Sequence, residues 1–106
     1  MTEEAFSNLL TEARNRLDIT WEDPETDKKL SGFIRRGIDY LDDKAGAKLD
    51  YSQEGHHRAL LFDYVRYSRA DALDEFENNY LHDLLALHLK CRVKEAADND
   101  KAKAAG

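Results

Sequence analysis

One proline, one cysteine and five glycines serve a chain of 106 residues. So little turn material disfavours a β-sandwich or barrel, whose many short strands need frequent breaks, and favours packed helices. The lone cysteine, Cys91, excludes an intramolecular disulfide and fits a reducing compartment. No apolar run approaches the roughly 20 residues that a bilayer requires, and the first residues are acidic where a signal peptide is basic and then apolar. No glycine-rich phosphate loop and no serine or cysteine in a nucleophile elbow is present. Excess cation is lacking too. The formal net charge is −6, with twelve acids against eight bases up to Gln53 and ten against eight after it. Affinity for DNA comes largely from neutralising phosphates with Lys and Arg, so this balance argues against nucleic-acid binding. The expected class is a protein made in a cytoplasm, without membrane or cofactor.

What is present is helical periodicity. The length fits one domain with a thin core, burying roughly two thirds of the surface the unfolded chain exposes. A first helix is predicted from Glu3 to Leu17, capped by Thr2, with Phe6, Leu9, Leu10, Ala13 and Leu17 as its apolar stripe. The turn Asp18–Asp23 should fold Ile19 and Trp21 back onto the core. A second helix starts with Asp23 as cap and Pro24 at the first helical position. Leu30, Phe33, Ile34, Ile38, Leu41 and Ala45 recur at its spacing, and Gly46 ends it in a left-handed conformation. Gly32 and Gly37 inside it each cost roughly 1 kcal/mol against Ala, which implies close approach by a neighbouring backbone.

The connection Ala47–Gly55 is polar, anchored by Leu49 and Tyr51, with a short extended piece allowed at residues 47–53. A third helix is predicted from about Ser52 to Arg69 and a fourth carrying Leu73, Phe76, Tyr80, Leu84, Leu87 and Cys91, widened by Leu81, Leu85 and Leu89. Acids gather at the start of the fourth and bases at its end, as the helix dipole favours. No Gly or Pro separates the two, so one helix of roughly 60 Å is allowed at 1.5 Å per residue. A break between Ser68 and Asp74, capped by Ser68 or Asp71, is the preferred reading because such a length is unusual in so small a chain. The expected architecture is all-α: a bundle of four main helices over residues 1–96 and a frayed tail over 97–106.

His82, His88 and Cys91 do not converge on a helix, and a structural zinc site wants four ligands in a closed set, so ordinary residues at a core edge is the better reading. His56 and His57 are adjacent and point apart. Asp39 and Asp43 form a like-charge pair four residues apart rather than a catalytic dyad. Arg35, Arg36, Arg66 and Arg69 all have acids near them in sequence, and surface pairing explains them better than DNA reading. No metal site and no enzymatic activity is expected. The unusual feature is aromatic load: Leu60, Leu61, Phe62, Tyr64, Val65 and Tyr67 nearly encircle the third helix. A helix apolar all round must be buried all round. Four helices are expected to leave part of that belt uncovered, so it implies contacts between subunits.

Three pieces in order, LDITWEDPETDKKL, FIRRGIDYLDDKAG and ALLFDYVRYSRADALDEFENNYLHDLLALHLK, resemble the small head–tail connector (adaptor) proteins of tailed bacteriophages. The resemblance spans roughly Phe6 to Val93. It implies a mostly helical structural protein of the virion that forms a ring, typically dodecameric, under the portal protein at the capsid vertex. Such a ring extends the DNA channel toward a stopper or tail-completion protein, and DNA passes through without sequence-specific binding. A heterologous interface repeated around an axis closes such a ring without any catalytic group. An acidic lumen would let DNA slide, so a net negative lumen is expected.

In that family the C-terminal segment commonly docks on the portal, which makes Leu89–Lys103, with Lys90, Arg92 and Lys94, the candidate portal-facing element. Tyr51, Phe62, Tyr64 and Tyr67 are the candidate contacts between copies, and the loop Ala47–Gly55 a second docking element. Two other classes stay open: a small helical regulatory or protein-binding module, and a DNA-packaging accessory similar to a small terminase subunit.

Overall fold

A computed structural model describes the backbone of residues 1–105 and the side chains of residues 1–97. Its helices are α1 (Glu3–Arg16), α2 (Pro24–Ala45), α3 (His56–Arg69), α4 (Leu73–Asn79) and α5 (Leu81–Ala105). The all-α class is as the sequence predicts, with five helices in place of four main ones. The tail expected over 97–106 falls mostly outside the residues whose side chains are described; the α5 backbone runs to Ala105.

Local chemistry sets the ends of α1 and α2. The Thr2 hydroxyl accepts from the Ala5 amide at 3.1 Å, and the Asp23 carboxylate accepts from the Glu25 amide at 3.1 Å. Pro24 occupies the first turn, where its missing N–H costs nothing. At the far end Gly46 adopts φ 73°, the left-handed region that a Cβ would disfavour, and its amide returns to Asp42 and Asp43 carbonyls. Asp18 and Asp71 adopt φ 57° without being glycine. Each follows a helix end, where a short polar side chain tolerates that region better than a branched one.

The core joins faces of all five helices. Leu9, Ala13, Leu30, Ile34, Leu41, Leu60, Leu61, Val65, Phe76, Leu84 and Leu87 are buried, with Ile19 folded in from the first turn. Each fully buried Leu or Ile contributes about 1.5–3 kcal/mol. The α3 helix lies at the centre, packed against α1, α2 and α4, while α5 packs on α2. Trp21, expected to fold back with Ile19, stays 49% exposed.

Three expectations are corrected. No strand forms among the described residues, and 47–53 is a turn. Asp42 holds that turn: its carboxylate accepts from the Leu49 amide at 3.2 Å and the Tyr51 hydroxyl at 2.8 Å. Helix three starts at His56, four residues later than predicted from Ser52, because Asp50 ties Ser52 into a local turn through its amide and hydroxyl. The break between α3 and α4 falls where expected, but Ala72 takes the cap position with no side-chain bond.

A second break was not expected. The predicted fourth helix divides at Tyr80, whose backbone leaves helical geometry at φ −114° and ψ 18°. Its ring stacks on Phe76 at 4.7 Å and meets Tyr67 edge-on at 5.6 Å. Tyr40 and Tyr64 complete the same cluster around Phe76. Tyr40, Tyr64, Tyr67, Phe76 and Tyr80 therefore form one packed knot joining α2, α3 and α4.

Candidate functional site: the outer face of α5 and the adjacent loop

The belt around α3 is not a surface. Leu60, Leu61, Phe62, Tyr64 and Val65 are all buried within one copy of the chain, and Tyr67 is half-buried. Tyr51 is wholly enclosed. Tyr51, Phe62 and Tyr64 are thus removed from the candidate contacts between copies. Three helices cover α3, and cations close the remaining side: the guanidinium carbons of Arg16 and Arg58 lie 4.6 and 5.3 Å from the Phe62 ring centroid. The guanidinium groups themselves lie over the ring, Arg16 paired with Glu12 and Arg58, largely buried, with Glu54.

Unburied apolar surface gathers on α5 instead. Leu84 and Leu87 point into the core and Cys91 packs at its edge. Leu81, Leu85, Leu89 and Val93 stand outward at 48, 51, 61 and 69% exposure. Four-residue spacing rotates each step by about 40° from the last, so the four form one slightly winding ridge. Apolar residues therefore occupy both the inner and outer faces of α5, and only the inner one is covered. Lys90, Arg92 and Lys94 are exposed around the C-terminal half of the ridge. This apolar strip rimmed by charge is the candidate contact surface of the molecule.

The second predicted element adjoins it. Lys48, Leu49, Asp50 and Gln53 of the loop, with His57, face Leu87, Lys90, Cys91 and Lys94 across a shallow groove of about 350 Å³. The two elements named from sequence, the C-terminal segment and the loop, are brought together as one surface. His56 Nε2 lies 3.1 Å from Asp83 Oδ1, tying the start of α3 to the first turn of α5. Lys44 pairs with Glu77 at 2.7 Å, which raises its pKa through the hydrogen bond and links α2 to α4. Both contacts lie at the α4–α5 junction and anchor it to α2 and to the start of α3.

His88 packs against Gly46, Cys91 sits at the core edge and His82 is exposed. Among the described residues no three His, Cys, Asp or Glu side chains gather as metal ligands would. The perturbed groups are mostly tyrosines of the core. Burial raises Tyr40, Tyr51 and Tyr64, and Tyr80 is pushed up to about 12 by burial and the neighbouring Asp63. They report packing rather than a poised acid or base. Among the described residues no helix is long and apolar enough to cross a membrane. Sequence reasoning placed Leu81, Leu85 and Leu89 on a wide stripe without separating the covered side from the bare one. The signal was present, since no single face of α5 holds all its leucines. No family model, no curated protein and no solved structure matches the chain.

Proposed function

We propose that the chain is a structural assembly protein of the phage head–tail connector kind, docking on a portal protein through the outer face of α5. The observation that carries this reading is the bare ridge Leu81–Leu85–Leu89–Val93 on an otherwise well-enclosed bundle. Burying such residues against a partner contributes on the order of 25 cal/mol per Å² of apolar area, before the costs of association. Lys90, Arg92 and Lys94 then select an acidic rim on the partner and orient the helix, since charge complementarity governs register and on-rate more than affinity. The three sequence pieces that resemble the connector family supply the identity of that partner.

Ring formation, typically dodecameric in that family, follows from repeated docking on a symmetric portal. The stopper or tail-completion protein would meet the opposite end of the ring. The acidic balance of the chain suits a lumen that DNA traverses without being held. The test is co-sedimentation of the purified chain with the cognate portal ring. Binding is expected for the whole chain and weakening on deletion of the residues after Ala96, with helicity of the remaining bundle retained. Unchanged binding on that deletion would remove the tail from the docking element. No association of the whole chain with the portal would favour the helical regulatory reading. A shifted band with non-specific duplex DNA would favour the packaging accessory.

A further inference from the structure

A second surface, remote in sequence from α5, lies between the start of α2 and the end of α3. Thr26, Lys29, Leu30 and Phe33 recur at three- and four-residue spacing and so share one face of α2. Arg69, in the last turn of α3, closes the other side of a groove of about 500 Å³. Beside it stands the exposed Trp21, with the Arg69 guanidinium carbon 5.9 Å from its ring centroid. The Arg36 guanidinium lies 5.3 Å over the Phe33 ring.

The lining of this groove carries two cations, Lys29 and Arg69, and no carboxylate. Arg14, Arg16, Lys44, Arg58 and Arg66 each have a carboxylate within 4 Å. Among the described residues none lies that close to Lys29, Arg36 or Arg69, nor to Lys28, Arg35, Lys48, Lys90, Arg92 or Lys94, although the chain carries six more negative than positive charges. Lys29 and Arg69 thus flank an apolar floor of Leu30 and Phe33, with Arg36 over the Phe33 ring and the Trp21 indole beside Arg69.

We propose that this groove binds a short acidic peptide segment of a partner protein, with one bulky apolar side chain seated on Phe33 and Trp21 and its carboxylates on Lys29, Arg36 and Arg69. Guanidinium forks take carboxylates in two-point contacts, and each already lies over an aromatic ring that holds it in place. Nucleic acid fits less well. Its affinity is the sum of many phosphate contacts, whereas the groove itself is lined by only two cations. The proposal is independent of the connector reading and of α5.

Trp21 is the only tryptophan, so the groove carries its own reporter. The full chain is titrated with short synthetic peptides in which Glu and Asp flank one Leu or Phe. Tryptophan emission is followed, and anisotropy of fluorescein-labelled copies covers variants that disturb the indole directly. A saturable response is expected, weakened at least about tenfold when the acids are replaced by Gln and Asn, and by a similar factor in the Lys29→Ala/Arg69→Ala variant. Lys48→Ala, beside α5, should bind like the parent chain. Equal binding of the Gln/Asn peptide, or no saturable response to any of the acidic peptides, overturns the proposal. Tighter binding of a short single-stranded DNA oligonucleotide than of every acidic peptide also overturns it and assigns the groove to nucleic acid.

Discussion

At Gly37 an added Cβ would stand 2.7 Å from Leu61 Cδ1 and 2.8 Å from Tyr64 Cδ1. The close approach that sequence reasoning inferred from this glycine is real, but side chains of α3 make it rather than a backbone. At Gly32 the nearest atom would be the mobile end of Arg36 at 3.7 Å. The same substitution should therefore have opposite signs at the two sites. Gly37→Ala is expected to destabilise, because overpacking costs about 1–3 kcal/mol against roughly 1 kcal/mol gained in helix propensity. Gly32→Ala is expected to stabilise by about 0.5–1 kcal/mol, with no packing term against it. Urea denaturation midpoints for both variants decide it. The caps at Thr2, Asp23 and Gly46 were legible because each depends on residues within a few positions. Asp42 was not, since its partners Leu49 and Tyr51 reach it only after the chain has turned.

Among the elements, α2 could be read end to end because both termini carry their own signals. The α4–α5 junction could not. Tyr80 is an ordinary residue for a helix interior, and what breaks the helix there is the packing of its ring on Phe76 and Tyr67, a tertiary effect. On α5 the two apolar faces should respond differently to substitution. Leu84→Ala, inside the core, is expected to cost about 2–5 kcal/mol. Leu85→Lys, one residue on and half exposed, should change stability by less than about 0.5 kcal/mol. Thermal unfolding of the two variants measures the difference. A large loss from Leu85→Lys would show that the ridge is part of the fold and unavailable to a partner.

Taken whole, the bundle exposes the wrong helix to a reading made one helix at a time. The rule that a helix apolar all round must be covered all round is sound. Applied to α3 it pointed to neighbouring subunits, whereas α1, α2 and α4 do the covering and Arg16 and Arg58 finish it. Applied to α5 it leaves Leu81, Leu85, Leu89 and Val93 without cover. Which helix would be central is a property of the assembled bundle, and no count along one segment contains it.

Enclosed tyrosines, three in the aromatic knot and Tyr51 beside His57, set the response to alkali. Tyr40, Tyr51, Tyr64 and Tyr80 have folded pKa values above the ordinary 10.0, held there first by burial. Their protonated forms are favoured in the fold, so this contribution is complete below pH 10 and declines above it, as the unfolded chain ionises first. Stability should fall as pH rises from about 10 through about 12, the folded value of Tyr80. Tyrosinate absorbance and helical ellipticity followed together should show these rings ionising as the helices unfold. Full ionisation near pH 10 with helicity intact would contradict the enclosed knot.

The central claim concerns where the molecule meets its partner, and hydrogen–deuterium exchange of the free and portal-bound chain measures that directly. Slowed exchange is expected over residues 81–93 of α5 and the adjoining loop 47–55, with α3 equally protected in both states. Slowing confined to α3 or α1, with α5 exchanging as fast on the portal as in solution, would contradict it.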